Sequence, residues 1–432
     1  MTAPRLLTHT LGCKVNQYET QYVREGLLRA GYVDVQPDQA ADLCIINTCT
    51  VTADGDAKSR RIVRRIARRN PDARLIVMGC YATRAPEEIA QLPGVDEVIT
   101  DKRELPDLLG RFGVVDVPTG ISGLANRHRA YVKVQDGCLL RCTYCIIPQV
   151  RPEMYSRKTE EILDEVRRLV DNGYQEIVLT GIHLGHYGVD WNRTRPKAEW
   201  IRLSDLVKRI VQLPGEFRVR LSSIEATEVT RELISVMANH PTRICPHLHV
   251  CLQSGSDRIL DRMNRRWGSK RFLDRCHLVR QALPNPALTT DIIVGFPGET
   301  DADFLASCDV ARQAGFSKIH VFPFSSRKGT PAADMDQQIP SHVKSARVQQ
   351  LQNVERELRS EYLASLAGRE LRVLVEGQDT SRPDRFLGTS CRYVPVMLST
   401  NATPSPIGKI LRAEPISHDG KMVLARQSES YR

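Results

Sequence analysis

The 432 residues carry 61 Lys and Arg against 51 Asp and Glu, a formal charge of +10, and 41% of them are hydrophobic. That hydrophobic fraction fills sizeable cores and excludes a disordered chain, while the length exceeds one ordinary domain and points to two or three. No apolar run approaches the roughly 20 residues of a bilayer span and the N-terminus lacks a signal-peptide core, so a cytoplasmic protein with no membrane attachment is expected. In that reducing compartment the 12 cysteines read as ligands or core residues rather than cross-links, and the positive charge points to a polyanionic partner.

In chain order, apolar runs over residues 6–11, 43–47 and 75–78 read as strands. They alternate with helical patterns over 17–30, 56–69 and 86–92. Such alternation predicts a parallel-sheet α/β domain, here given the bounds 3–115. One cysteine follows each of these strands: Cys13, Cys49 and Cys80. The carboxyl ends of parallel strands share one edge, where α/β proteins bind ligands, so three residues remote in sequence are expected to meet. A cysteine is often just a small buried hydrophobe, but three at equivalent strand ends suggest a ligand set. The helix over 56–69 carries Lys58, Arg60, Arg61, Arg64, Arg65, Arg68 and Arg69 with no acid among residues 58–69, above an apolar stripe of Ile62, Val63 and Ile66. Charged helical faces usually mix signs; a face of one sign reads as a phosphate-contacting, RNA-binding surface.

After a Gly- and Pro-containing linker over 112–124, a second alternating series begins. Strands are predicted over 131–135, 176–180, 218–222, 247–252, 287–294 and 318–323, with helices over 160–172, 204–213, 230–238, 270–282 and 301–314. These βα repeats span about 200 residues, which suits a partial (β/α)6 barrel, since a full eightfold one takes about 250. This domain is bounded as 124–358. A charged helix over 341–366 leads to short strands over 372–376, 389–398 and 409–414, a small all-β module over 361–430.

The run Asp136-Gly-Cys-Leu-Leu-Arg-Cys-Thr-Tyr-Cys-Ile-Ile-Pro148 holds Cys138, Cys142 and Cys145 in an uneven CxxxCxxC spacing. Clusters owned wholly by protein take four cysteines; three leave one iron open for chemistry. A zinc knuckle would use four ligands in CxxC pairs, and no fourth Cys or His lies close by. Cys245, His247, His249 and Cys251 alternate along one strand face and spread over roughly 20 Å, too far for one metal, so they read as a polar barrel interior. Cys44, Cys276, Cys308 and Cys391 have no partner spacing and read as core.

The CxxxCxxC run resembles the signature of the radical S-adenosylmethionine (SAM) superfamily. Together with Gly12-Cys13-Lys-Val-Asn-Gln17, Asn47-Thr-Cys49 and Gly79-Cys80, it makes nearly the whole chain resemble the methylthiotransferase family within that superfamily. Arg220-Leu-Ser-Ser-Ile-Glu225, Leu252-Gln-Ser-Gly-Ser256 and Val321-Phe-Pro-Phe-Ser-Ser-Arg-Lys-Gly-Thr-Pro331 are most similar to the members acting on threonylcarbamoyladenosine in tRNA. The terminal module, through Gly388-Thr-Ser-Cys-Arg-Tyr-Val394, is similar to the family's RNA-binding TRAM barrel.

The resemblance implies two 4Fe–4S clusters and SAM. Cys138, Cys142 and Cys145 would hold the cluster whose open iron chelates SAM and cleaves it to a deoxyadenosyl radical. Cys13, Cys49 and Cys80 would hold the one that carries the sulfur, which a separate SAM methylates. Such a division answers the chemistry: inserting sulfur at carbon 2 of adenine breaks an unactivated C–H bond, which no ionic side chain can do. It also implies a tRNA substrate, a sulfur source and an external electron donor of flavodoxin or ferredoxin type. Gly295 and Gly298, in the loop after the strand over 287–294, would let the backbone approach SAM. Ser223, Glu225 and Gln253 are expected contacts of SAM or substrate. Where the superfamily often places Gly-Gly-Glu to hold the SAM amine, this chain has Thr180-Gly181-Ile182-His183. Two other readings stay open: the same chemistry on isopentenyl-adenosine in tRNA or on a ribosomal-protein aspartate, and a non-catalytic, zinc-containing RNA-binding protein.

Overall fold

The computed structural model describes residues 3–125, 127–400, 402 and 404–428; residues 401, 403, 429 and 430 of the expected terminal module lie outside the described residues. β1 (Arg5–Thr10), β2 (Val33–Asp34), β3 (Leu43–Thr48), β4 (Arg74–Gly79) and β5 (Glu97–Val98) form a parallel sheet in the order β2-β1-β3-β4-β5. β3 is buried at every residue, as an apolar run with helices on both faces should be. The two-residue strands β2 and β5 are too short to leave a periodic signal in the sequence. In this flavodoxin-like order the chain reverses direction across the sheet between β1 and β3, the place where such sheets open a crevice.

α1 (Lys14–Arg29) starts three residues earlier than expected because its N-cap is Cys13, whose side chain makes no capping bond. Without Ser, Thr, Asp or Asn there, the usual start signal is missing. α2 (Ala53–Arg69) also starts three residues early, capped by Thr52, whose hydroxyl accepts from the Gly55 N–H. α3 (Cys80–Arg84) follows β4 directly.

The middle of the chain builds a wall of parallel strands. β6 (Ala130–Asp136), with the two-residue antiparallel β7 (Tyr155–Ser156) on its outer edge, pairs β8 (Glu176–Gly181), which pairs β9 (Arg218–Leu221). After a break at Ser222 the wall continues through β10 (Ser223–Ile224), β11 (His247–Val250), β12 (Ala287–Val294) and β13 (Lys318–Pro323). A parallel bridge between Val219 and Ile244 spans the break. β13 pairs only with β12 among the described residues, so the barrel is open on that side.

The C-terminal strands β14 (Leu371–Gln378), β15 (Arg385–Ser390), β16 (Pro395–Ser399), β17 (Ile410–His418) and β18 (Val423–Gln427) close a barrel in the order β14-β15-β16-β18-β17. Five-stranded barrels of this kind include the OB-folds. The strand expected over 389–398 is two strands joined by a tight turn at which Tyr393 takes φ +61°, and β18 was not expected at all.

The two barrels are joined by buried charge. Arg218 and Arg220 alternate with Val219 and Leu221, so the guanidiniums face the lumen and the aliphatic residues face the helices. Both arginines grip Glu176 (Nε to carboxylate 2.6 and 2.8 Å) and extend to backbone carbonyls of the β-module. Arg218 donates to Arg372 O (2.6 Å) and Thr389 O (3.1 Å); Arg220 donates to Ser390 O (3.0 Å) and Cys391 O (3.1 Å). The Tyr393 ring lies 4.8 Å from the Arg220 guanidinium. The module thus plugs the end at which the barrel strands begin, opposite the end that carries the cysteine loop. Burial opposes the charge on Glu176, but Arg218 and Arg220 hold its carboxyl well below the usual range. Glu176→Gln strands two buried guanidiniums and is expected to cost about 3–5 kcal/mol. Equilibrium denaturation against the parent chain measures it.

Candidate active site

β1, β3 and β4 lie in register, Thr10 opposite Asn47 and Thr48 opposite Gly79, which brings the residues just beyond them together. Gly12 and Gly79 immediately precede Cys13 and Cys80 and take φ +105° and +102°. At both strand ends the same turn, closed to side chains, swings the chain into a helix. A Cβ on Gly12 would lie 3.3 Å from Cys49 Sγ, and one on Gly79 would collide with Asn47 Oδ1 and Thr48 O. Asn16, fully buried in the first turn of α1, donates from Nδ2 to Leu11 O (2.9 Å) and Thr48 O (3.1 Å). Its Oδ1 lies 3.8 Å from Cys13 Sγ and 3.9 Å from Cys80 Sγ. The three cysteines expected to meet therefore do, around one glycine and one amide.

Cys138, Cys142 and Cys145 lie between β6 and a short helix at Ile147–Val150, with the Cys145 N–H donating to Cys142 O (3.0 Å). Cys138 Sγ is 3.6 Å from His183 Nδ1, and Cys142 Sγ is 3.5 Å from Arg265 Nη1. His183 stacks on His186 at 3.5 Å, and its Nε2 is 3.2 Å from Glu228 Oε2. Burial penalises the charged ring, but the Cys138 sulfur and the Glu228 carboxylate push His183 up to about 10. Burial and the charge of His183 hold His186 down at about 4. Burial pushes Cys145 up to about 12, so without a cation it stays a thiol; coordination deprotonates a thiol outright.

The spacing of the sulfurs decides which metal body fits. Among the described residues, the donor groups whose ligand atoms all lie within 4.8 Å of one another are His183–His186–Glu228 and His249–Cys251–Asp291; neither cysteine trio is so compact. A tetrahedral zinc with sulfurs at about 2.3 Å holds them about 4 Å apart. In each trio at least one pair of sulfurs lies farther apart than 4.8 Å, and the soft, three-thiol donor sets fit an iron–sulfur cube with one iron left over.

The two trios are neighbours. Cys80 packs against Ile146 and Val150, in the segment just after Cys145. Between them lies a buried network: Arg151 pairs with Glu19 and Asp136 (both 2.7 Å) and donates to Asn16 Oδ1 (3.1 Å). Lys133 pairs with the same two carboxylates (3.0 and 2.7 Å). Farther along the interface, Arg327 reaches Thr50 (2.8 Å) and Asp56 (2.9 Å) from the loop after β13.

Glu225 is tied to Arg265, and Ser223 is exposed on β10 opposite His249. Gln253 takes φ +68° and bridges to Ile292 of β12. Gly295 and Gly298 are buried, and the space beside their Cα atoms is filled by Lys344 and by Arg262 with Gln337, so their small size serves close packing there. His247 and His249 line a polar lumen as expected, with His249 3.0 Å from Thr289 Oγ1 and 3.4 Å from Asp291. Cys44, Cys276, Cys308 and Cys391 are core residues. On α2, Ile62, Val63 and Ile66 are buried; Lys58, Arg61, Arg64, Arg65, Arg68 and Arg69 are exposed, whereas Arg60 is engaged by Glu88 at 3.0 Å. Sequence reasoning missed Asn16, Lys133, Arg151, Glu228 and Arg265. Asn16 sits inside the Gly12–Gln17 motif and could have been suspected; the others meet partners 40 to more than 100 residues away.

A partial parallel barrel with a three-thiol loop at its carboxyl end is the architecture of radical SAM enzymes, and the radical SAM superfamily matches residues 132–311. A second match, described as uncharacterized protein family UPF0004, covers residues 5–100. The chain belongs to the methylthiotransferase family of radical SAM enzymes. It is similar to the threonylcarbamoyladenosine tRNA methylthiotransferase MtaB of Bacillus subtilis (strain 168), with 40% identity covering 94% of this chain and 92% of that protein. The tRNA-2-methylthio-N(6)-dimethylallyladenosine synthase of Rhodococcus jostii (strain RHA1) is 36% identical, covering 88% of this chain and 79% of that protein. The radical SAM methyltransferase TsrM from Kitasatospora setae shares the fold alone, with a TM-score of 0.55, 14% identity and 77% of each chain covered.

Gly79→Ala, which displaces the turn carrying Cys80, is expected to bind about half the iron of the parent after anaerobic reconstitution. Iron and sulfide analysis per chain checks it.

Proposed function

We propose that this chain adds a methylthio group to carbon 2 of N6-threonylcarbamoyladenosine next to the tRNA anticodon. The reading is carried by two open cysteine trios held side by side. Cys138, Cys142 and Cys145 would hold the cluster that binds SAM, and Cys13, Cys49 and Cys80 the cluster that carries sulfur. When bound, these groups supply the radical and the sulfur that an unactivated aromatic C–H bond demands. The chain's own residues set the geometry. Asn16 spaces Cys13 from Cys80, the Arg151–Lys133–Glu19–Asp136 network ties the two trios together, and His249 and Asp291 offer polar groups to a base entering the lumen. Ser223 lies on β10, and Gln253 follows β11 and bridges to Ile292 of β12.

Three units divide the work in this reading: residues 3–115 for the sulfur-carrying cluster, 124–358 for SAM and radical chemistry, 361–430 for RNA. The exposed cations of α2 suit a phosphate backbone. So does a groove of about 630 Å³ at the open β13 edge, where the half-exposed Phe322 lies among Arg356, Arg359 and Lys421. The reaction also needs an external one-electron donor of flavodoxin or ferredoxin type and a sulfur source. No helix among the described residues is long and apolar enough to cross a membrane, and the free cysteines suit the reducing cytoplasm.

Mass spectrometry of tRNA nucleosides from a strain lacking the protein tests the substrate. The methylthio group is expected to vanish from threonylcarbamoyladenosine and persist on the isopentenyl derivative; the reverse pattern would move the reading to the other base. Reversing Arg64 and Arg68 to Glu is expected to weaken tRNA binding and flatten its salt dependence by about one unit of slope per lost phosphate contact. Titrations at several ionic strengths measure this.

A further inference from the structure

Two of the three sulfurs in the CxxxCxxC loop have a side-chain nitrogen aimed at them, and the two nitrogen-bearing side chains share one support. Cys138 Sγ faces His183 Nδ1 at 3.6 Å, and Cys142 Sγ faces Arg265 Nη1 at 3.5 Å. Behind His183 stands Glu228, 3.2 Å from Nε2; behind Arg265 stands Glu225, paired through Nη2. The two carboxylates belong to one turn after β10, in which the Glu225 N–H donates to Glu228 Oε2 at 3.0 Å. Thr227 Oγ1, 2.9 Å from Glu228 Oε1, fixes it further. The donors are locked as well. His183 is buried, stacks on His186 and donates its backbone N–H to Gln135 Oε1 (2.8 Å). Arg265 is buried with its guanidinium 4.9 Å from the Trp267 ring.

We infer that His183 and Arg265 are positioning residues that raise the reduction potential of the SAM-binding cluster, with Glu228 and Glu225 fixing their aim. This rests on the reading that Cys138, Cys142 and Cys145 hold that cluster. When the external one-electron donor is oxidised and the cluster gains its electron, negative charge grows on the thiolate sulfurs. No bond in the chain forms or breaks. Donors directed at those sulfurs favour the reduced state, because hydrogen bonds to sulfur and second-shell charge tune cluster potentials. Charge-assisted donors do so more strongly than neutral ones, and the low local dielectric enlarges the effect. His183 occupies the position where the superfamily often has Gly-Gly-Glu, so the segment after β8 here serves a thiolate.

The test is a redox titration of the reconstituted full chain followed by electron paramagnetic resonance, the SAM-binding cluster being recognised by the change in its signal when SAM is added. His183→Phe keeps the ring stack and removes the donor; Arg265→Met keeps the stem and removes the charge. Each is expected to retain the parent's iron content and to lower the midpoint, so that at the parent's midpoint the reduced fraction of this cluster falls by about fivefold. Arg265→Lys should recover part of the loss. Parent midpoints in both His183→Phe and Arg265→Met, at full iron content, would overturn the inference. If one variant fails to load, the other carries the test. Failure of the underlying cluster reading shows separately: Cys142→Ala would then keep all its iron and its SAM-dependent signal.

Discussion

A ring of buried charge between the N-terminal sheet and the barrel holds this molecule's chemistry in place. Lys133 and Arg151 each touch both Glu19 and Asp136, all four being buried, and Arg151 also bonds Asn16. Two cations and two anions cancel, so burial leaves no net charge uncompensated. Such a network adds little stability over an apolar contact, since desolvation offsets most of the Coulomb gain. What it adds here is direction: each carboxylate is gripped by two donors, which leaves little freedom to slide or tilt. Asn16 is the neighbour of two sulfurs in one trio, and Asp136 lies two residues before the first cysteine of the other. The interface therefore transmits position from one trio to the other through a few short bonds.

The architecture around that ring follows from elementary rules. Parallel strands end on one edge, so a sheet with a cysteine after each of three adjacent strands makes a thiol triangle without any local sequence motif. A partial barrel is open along one side, and here β13 leaves that side lined by Lys318, His320 and Phe322 with the long helix Ser341–Ala364 beside it. The terminal barrel occupies the opposite end from the thiol loop. The N-terminal sheet packs against the loops after β6 and β13, while the β13 edge itself stays unpaired among the described residues.

Much of this was legible in the sequence, because strand periodicity and cysteine spacing are local signals. The six barrel strands, the α/β order of the first hundred residues and both trios could be read directly. Contacts between remote residues could not. His183 pairs with Glu228 and Arg265 with Glu225, 40 or more residues apart, and no spacing rule links them. Glu225 looked like a ligand contact because it sits in a motif, yet its carboxylate is spent on Arg265. The turn between β15 and β16 was hidden because residues 389–398 alternate well enough to pass as one strand, and only the left-handed backbone at Tyr393 breaks it. Arg60 belonged to a uniform basic run by composition; the fold sets Glu88 beside it and removes it from that run.

The grip of Arg218 and Arg220 on the terminal barrel falls on main-chain oxygens of Arg372, Thr389, Ser390 and Cys391. Carbonyl groups are the same whatever residue bears them. Substitutions on the outer surface of that barrel can therefore accumulate over evolutionary time without loosening its attachment. A lineage could remodel the outer face of this appendage alone, while the rest of the molecule stays as it was.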